Sequence, residues 1–94
     1  MSDLSAPRPG VAVRFTLDAD VAPGLLPRLL QPFAKRDLTP DLLSSSRDGD
    51  RMRVEIAMAT MPPEIVHLVA GNFRQVVGVR SVVELRSPLL SQVA

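Results

Sequence analysis

One change of hydrophobic period, between Val11 and Phe33, constrains the fold more than any other feature of the sequence. Apolar side chains first alternate with mostly polar ones, at Val11, Val13, Phe15 and Leu17. After Pro23-Gly24 they recur at helical spacing instead, at Leu25, Leu26, Leu29, Leu30 and Phe33. The alternation predicts a strand over 11–18 with one buried face, and the second spacing predicts an amphipathic helix. Asp18-Ala19-Asp20 should end the strand, because aspartate favours turns.

The helix should end by Arg36-Asp37, with Pro32 kinking or shortening its last turn. Asp48-Gly49-Asp50 is typical of a hairpin turn, and Gly78 of a helix C-terminus. The remaining predicted elements are a weak edge strand over Leu42–Arg47, a strand over Met52–Ala59, a helix opened by Pro62-Pro63, and a strand over Val79–Arg86. The predicted buried stripe of the second helix is Ile65, Leu68, Val69, Phe73 and Val76.

This order is β-α-β-β-α-β, in which two crossovers enclose a hairpin. It predicts an α+β fold, the ferredoxin-like βαββαβ sandwich, with a four-stranded antiparallel sheet and two helices on one face. The first and third strands alternate most regularly and should be central. We expect a flexible N-terminal lead over 1–10, a single domain over 11–86 and a C-terminal tail over 87–94.

The residue types needed for most catalysis or metal binding are scarce. The 94 residues include no cysteine, which excludes a disulfide scaffold, a thiolate metal site and a cysteine nucleophile. His67 is the only histidine, and the five glycines are scattered and form no phosphate loop. We therefore expect no catalytic residue, no metal site and no cofactor.

The charge pattern and the aromatic content argue against nucleic acid as a partner. The net charge is +1, and RNA-binding sheets of this topology need aromatic stacking platforms. The three phenylalanines instead lie at positions predicted to be core. The face of the sheet away from the helices should carry Arg14, Thr16, Arg53, Glu55, Arg80 and Glu84. That mixed-charge surface fits either solvent or a protein partner. With no apolar run of membrane-spanning length and no export signal at the start, we expect a cytoplasmic protein that does not enter membranes.

The strand, acidic turn and Pro-Gly helix start resemble the beginning of an ACT domain, a small non-catalytic regulatory module. The resemblance covers about Val11–Leu85 and is greatest to the short small regulatory subunits of acetolactate synthase. The segments that carry it are Gly24-Leu25-Leu26-Pro27-Arg28-Leu29-Leu30, Arg53-Val54-Glu55-Ile56 and Phe73-Arg74-Gln75-Val76-Val77-Gly78-Val79-Arg80-Ser81-Val82.

The resemblance implies a homodimer with an amino-acid effector at its interface. The implied effector-binding residues are Asp20, Val21, Ala22, Pro23, Gly24, Leu25, Leu26, Thr39 and Pro40. Backbone N–H groups at the helix start would hold the effector's carboxylate. Val21 and Thr39 stand where relatives that bind effectors commonly have Asp or Asn, which weakens recognition of the amino group.

Two functions follow from this resemblance. The chain is either a regulatory subunit that modulates a catalytic partner, most plausibly acetolactate synthase, or a free-standing amino-acid sensor. The missing amides favour the first.

Overall fold

The structure, a computed structural model, describes residues 10–88. Its elements are β1 (Val11–Asp20), α1 (Leu25–Ala34), β2 (Leu42–Asp48), β3 (Arg51–Met61), α2 (Pro63–Arg74) and β4 (Val79–Pro88). The strands form one antiparallel sheet in the order β2-β3-β1-β4. The predicted ferredoxin-like sandwich is therefore confirmed, with β1 and β3 central and β2 at an edge.

Several strands are longer than predicted. β1 continues through Asp18-Ala19-Asp20, because all three residues pair with β3. β4 continues to Pro88, where Ser87 and Pro88 pair with Ala12 and Val11. A proline is tolerated there because an edge strand needs its N–H groups on one side only. The rest of the predicted tail and residues 1–9 of the predicted lead lie outside the described residues.

The core is a layer between the sheet and the two helices, and all three phenylalanines of the chain meet in it. Phe15 of β1 lies edge-on to Phe73 of α2, with ring centroids 5.1 Å apart. Phe33 of α1 lies 6.3 Å from Phe15 and 5.8 Å from Phe73. Each ring is almost completely buried. This cluster joins β1 to both helices at one point.

The buried face of α2 coincides only partly with the predicted stripe. Val69 and Phe73 are buried as predicted, together with Val66 and Ala70. Leu68, predicted to be buried, is 47% exposed. Ile65 and Val76 are only partly buried at the margin of the core. Apolar residues stand at both sets of positions, so helical periodicity cannot choose between them, and small Val66 and Ala70 allow closer packing.

Pro32 is buried within α1, which ends two residues later at Ala34. The carbonyl of Pro32 accepts a hydrogen bond from Nη1 of Arg36 at 2.8 Å. The same Nη1 donates to Oδ1 of Asn72 in α2 at 3.1 Å. Arg36 thereby links the C-terminal end of α1 to α2.

One strand places its side chains differently from the prediction. Glu84 pairs with Phe15, so it lies on the helix side of the sheet and not on the outer side. The cause is an irregularity in β4: Val79 and Ser81 pair with the consecutive residues Ala19 and Asp18. Arg80 is therefore an extra, bulged residue, and the alternation beyond it is inverted.

The phenylalanine cluster gives a stability prediction. Phe73→Ala should lower the free energy of unfolding by about 3–5 kcal/mol, because it removes a buried ring and leaves a cavity. Leu68→Ala on the same helix should cost less than about 1 kcal/mol, since nearly half of Leu68 is exposed. Urea unfolding at one protein concentration measures both. Equal losses would contradict the assignment of the buried face.

Candidate functional site

The turn between β1 and α1 is held by backbone hydrogen bonds to two other connections. The Asp20 N–H donates to the Gly78 carbonyl at 2.8 Å, and the Val21 N–H donates to the Asp50 carbonyl at 3.0 Å. These bonds tie the turn to the α2–β4 connection and to the β2–β3 hairpin. The implied binding segment Asp20–Leu26 is therefore anchored at its first two residues.

The helix start offers fewer free donors than the sequence predicts. Gly24 is the N-cap of α1 with a left-handed φ of 78°, and α1 has no side-chain cap. Pro23 and Pro27 have no N–H, and the Leu25 N–H already donates to the Ala22 carbonyl at 3.2 Å. The N–H groups of Gly24 and Leu26 remain as the donors of the predicted carboxylate cradle.

Arg28 is a positive group at this site that the sequence reasoning missed. A Cβ placed on Gly24 would lie 3.8 Å from Cζ of Arg28, so the guanidinium folds back over the helix start. Arg28 also lines a groove of about 480 Å³ with residues of α1, α2 and the α2–β4 connection. In the sequence, the one feature that could have identified Arg28 is its position four residues after Gly24, which is one turn along the helix.

Asp20 is a poor replacement for the missing amide, because two arginines contact one oxygen of its carboxylate. Nε of Arg80 donates to Oδ1 of Asp20 at 2.7 Å, and Nε of Arg51 lies 3.7 Å from the same oxygen. The hydrogen bond to Asp20, and then the charge attraction, raise the pKa of Arg80 above its ordinary value. Asp20 therefore belongs to an ion-pair cluster on the sheet, where a ligand's amino group would compete with two arginines for its carboxylate.

Thr39 and Pro40 lie at the opposite end of the sheet from the β1–α1 turn. Next to them, the Asp41 N–H donates to the Ala57 carbonyl at 2.9 Å. The β1–α1 turn follows Asp20, which pairs with Arg51. Arg51 and Ala57 are six residues apart in β3, which is about 20 Å of strand. One protomer therefore does not bring the two parts of the implied site together.

Two negative observations concern the described residues alone. Between Gly10 and Pro88, no three residues of His, Asp or Glu form a group that could hold a metal ion. None of the helices there has the length and hydrophobicity required to cross a membrane.

Comparisons with known proteins give a family and a set of similar folds. A family model described as an ACT-like domain matches residues 7–91. The ACT domain of GTP pyrophosphokinase from Chlorobium tepidum superposes with a TM-score of 0.69 at 12% identity, over 81% of this chain and 99% of that one. No curated protein sequence matches the chain significantly.

Two further structures share the fold. A homoserine dehydrogenase from Thiobacillus denitrificans matches with a TM-score of 0.71 at 15% identity, over 82% of this chain and 17% of that chain. An uncharacterized protein from Thermotoga maritima matches with a TM-score of 0.64 at 12% identity, over 83% of this chain and 95% of that one. The fold thus occurs both in a large enzyme chain and in a small protein.

The conformation of Gly24 gives the second prediction. Gly24→Ala should destabilise the fold by about 1–2 kcal/mol, because an L residue is strained at positive φ. Gly71→Ala is the matched control: it lies inside α2 with open space around its Cβ position. The control should stabilise by about 0.5–1 kcal/mol through helix propensity. The two urea transitions should therefore shift in opposite directions, and a parallel shift would contradict the conformation of Gly24.

Proposed function

The chain belongs to the ACT-like domain family, and on that premise we propose that it is a non-catalytic regulatory protein that dimerises and modulates a partner enzyme of amino-acid metabolism. The favoured partner is acetolactate synthase, of branched-chain amino-acid biosynthesis, whose short small subunits the sequence resembles. The match to a segment of a homoserine dehydrogenase supports a role beside catalytic machinery.

The open edge of β2 is the observation that carries this proposal. All seven residues of β2 are exposed, and within residues 10–88 only β3 pairs with it. An open edge can pair with the same strand of a second copy, which extends the sheet from four strands to eight. Leu43, on the helix side of this edge and 42% exposed, adds apolar surface beside it.

Such a pairing would also unite the two separated halves of the implied site. When β2 pairs antiparallel with its copy, the start of one β2 lies beside the end of the other. Thr39 of one copy then approaches Asp48 and the hairpin that binds Val21 through the Asp50 carbonyl. An effector pocket would therefore form between two copies, near Gly24 and Arg28.

The chemistry of that pocket favours weak binding of free amino acids. Two backbone N–H groups and Arg28 suit a carboxylate. Val21 and the arginine-bound Asp20 leave the amino group without a strong acceptor. A regulatory subunit that needs no tightly bound effector is consistent with this balance. The alternative, a free-standing sensor with the ligand at the dimer interface, is supported by the positive charge of Arg28 at the helix start.

Calorimetric titration separates the two functions. With valine, leucine or isoleucine we expect no binding, or dissociation constants above about 1 mM. Addition of the chain to the catalytic subunit of acetolactate synthase should change that enzyme's rate. Micromolar binding with no effect on the synthase would favour the sensor instead. No binding together with no effect on the synthase would refute the proposed partner.

The edge interface has its own test. Leu43→Lys should weaken dimerisation at least tenfold, because it places a charge at the apolar margin of the paired edge. Leu68→Lys is the control, since Leu68 is similarly exposed but lies on α2. Sedimentation equilibrium gives the association constants. If both variants associate as strongly as the unmodified chain, the β2 edge is not an interface.

A further inference from the structure

The face of the sheet opposite the helices, called here the outer face, carries no covering element among residues 10–88. Pairing across the strands arranges it in four rows, each written from β2 through β3 and β1 to β4. The first two rows are Leu42, Ala57, Arg14, Leu85 and Ser44, Glu55, Thr16, Val83. The last two are Ser46, Arg53, Asp18, Ser81 and Asp48, Arg51, Asp20, with the bulged Arg80 on the β4 side.

One end of the outer face carries three exposed apolar side chains beside the Arg14–Glu55 ion pair, and the other end is polar and charged. Leu42, Val83 and Leu85 are 41%, 52% and 61% exposed, and they account for half of the six large hydrophobic residues exposed in the described chain. At the other end, Nη1 of Arg51 donates to Oδ2 of Asp18 at 3.0 Å. Arg53 stands in the next row and joins none of the ion pairs of the described residues.

We propose that the outer face packs against the outer face of a second copy of this chain, about a two-fold axis parallel to the strands. Such an axis lies between β1 and β3. Each row of one copy then faces the same row of the other copy, with its residues in the reverse order. β2 of one copy then lies over β4 of the other. This interface is separate from the β2 edge and goes beyond the proposed function.

Reversal of the rows brings opposite charges together. In the third row, Arg53 faces Asp18 of the second copy, and Asp18 faces Arg53. In the fourth row, Arg51 faces Asp20, and Asp48 faces Arg80. Each charged group of these two rows thereby meets an opposite charge, including Arg53, which forms no ion pair with a carboxylate of residues 10–88.

The same reversal brings the two leucines of the first row together, while Val83 of the second row faces Ser44. In the first row, Leu42 of one copy faces Leu85 of the other. Ala57 of one copy faces Arg14 of the other, which comes to lie beside Glu55 of the first copy. Arg14 and Glu55 already form a pair, with Nη1 and Oε1 3.1 Å apart. An axis across the strands would instead place the leucines of the first row over the charges of the fourth. The charge and hydropathy patterns therefore select one arrangement.

The area is sufficient for a specific contact. Four strands about 4.8 Å apart and four rows about 6.8 Å apart cover roughly 500 Å² on each copy. Two such faces bury about 1,000 Å², which is near the lower limit for specific interfaces. Two packed sheets normally lie within about 30° of alignment, which keeps facing rows in register.

Four variants, one of them a control, test this interface by sedimentation equilibrium, with circular dichroism as the check of folding. Leu85→Glu should lower the association constant of this contact at least tenfold, and Val77→Glu, at an exposed site outside the face, should not. Arg53→Glu should also weaken association, because the new carboxylate at position 53 would face the carboxylate of Asp18 in the second copy. The double variant Asp18→Arg/Arg53→Glu should restore it, since the facing charges are exchanged and not removed.

The masses distinguish this interface from the β2 edge. If both contacts form, the unmodified chain sediments as open-ended species of more than two chains, because the two-fold axis between β1 and β3 does not meet the two-fold axis at the β2 edge and the assembly does not close. Either Leu85→Glu or Leu43→Lys reduces these species to two chains. A two-chain species that Leu85→Glu dissociates and Leu43→Lys does not would support the outer face and refute the edge. A species that Leu85→Glu leaves intact, a monomeric unmodified chain, or a double variant that stays dissociated would overturn the inference.

Discussion

The contact among Phe15, Phe33 and Phe73 is the interaction on which the rest of this structure depends. Each ring comes from a different element, and the centroids lie 5.1–6.3 Å apart. Edge-on aromatic packing of this kind fixes orientation as well as burying area. Because it sets both helices against β1, it also sets where the β1–α1 turn and the α2–β4 connection meet, which is where Asp20 binds Gly78.

Within residues 10–88, the same packing leaves two surfaces without cover. Both helices of this part lie on one side of the sheet, so none of its elements covers the outer face, and β2 is exposed along its whole length. The core of a domain this small is thin, and association is a common way to add buried area. The implied effector site is likewise incomplete within one protomer, since Thr39 and Gly24 lie at opposite ends of it. The proposed association would bring the two halves of that implied site together.

The buried face of an element was predictable from the sequence where only one face of that element carries apolar residues. It was not predictable where two faces do. In β1 only one alternation is apolar, so its buried face was correctly predicted. In α2 both Leu68 and Val66 fit a helical stripe. The prediction that Leu68 is buried was wrong, because Val66 is the buried residue. In β4 the bulge at Arg80 inverted the alternation, which misplaced Glu84. Spacing along the chain carries no information about a bulge that forms only when β4 pairs with β1.

By itself, the sequence determined the order of elements, the ferredoxin-like topology, the central strands and the phenylalanine core. These depend on local periodicity and turn chemistry, which are properties of neighbouring residues. Only the tertiary structure decided that arginines pair with Asp20 and that Thr39 lies about 20 Å of strand from the turn. It also decided the charge order on the outer face. Each of these is a relation between distant segments, and pairing register sets it.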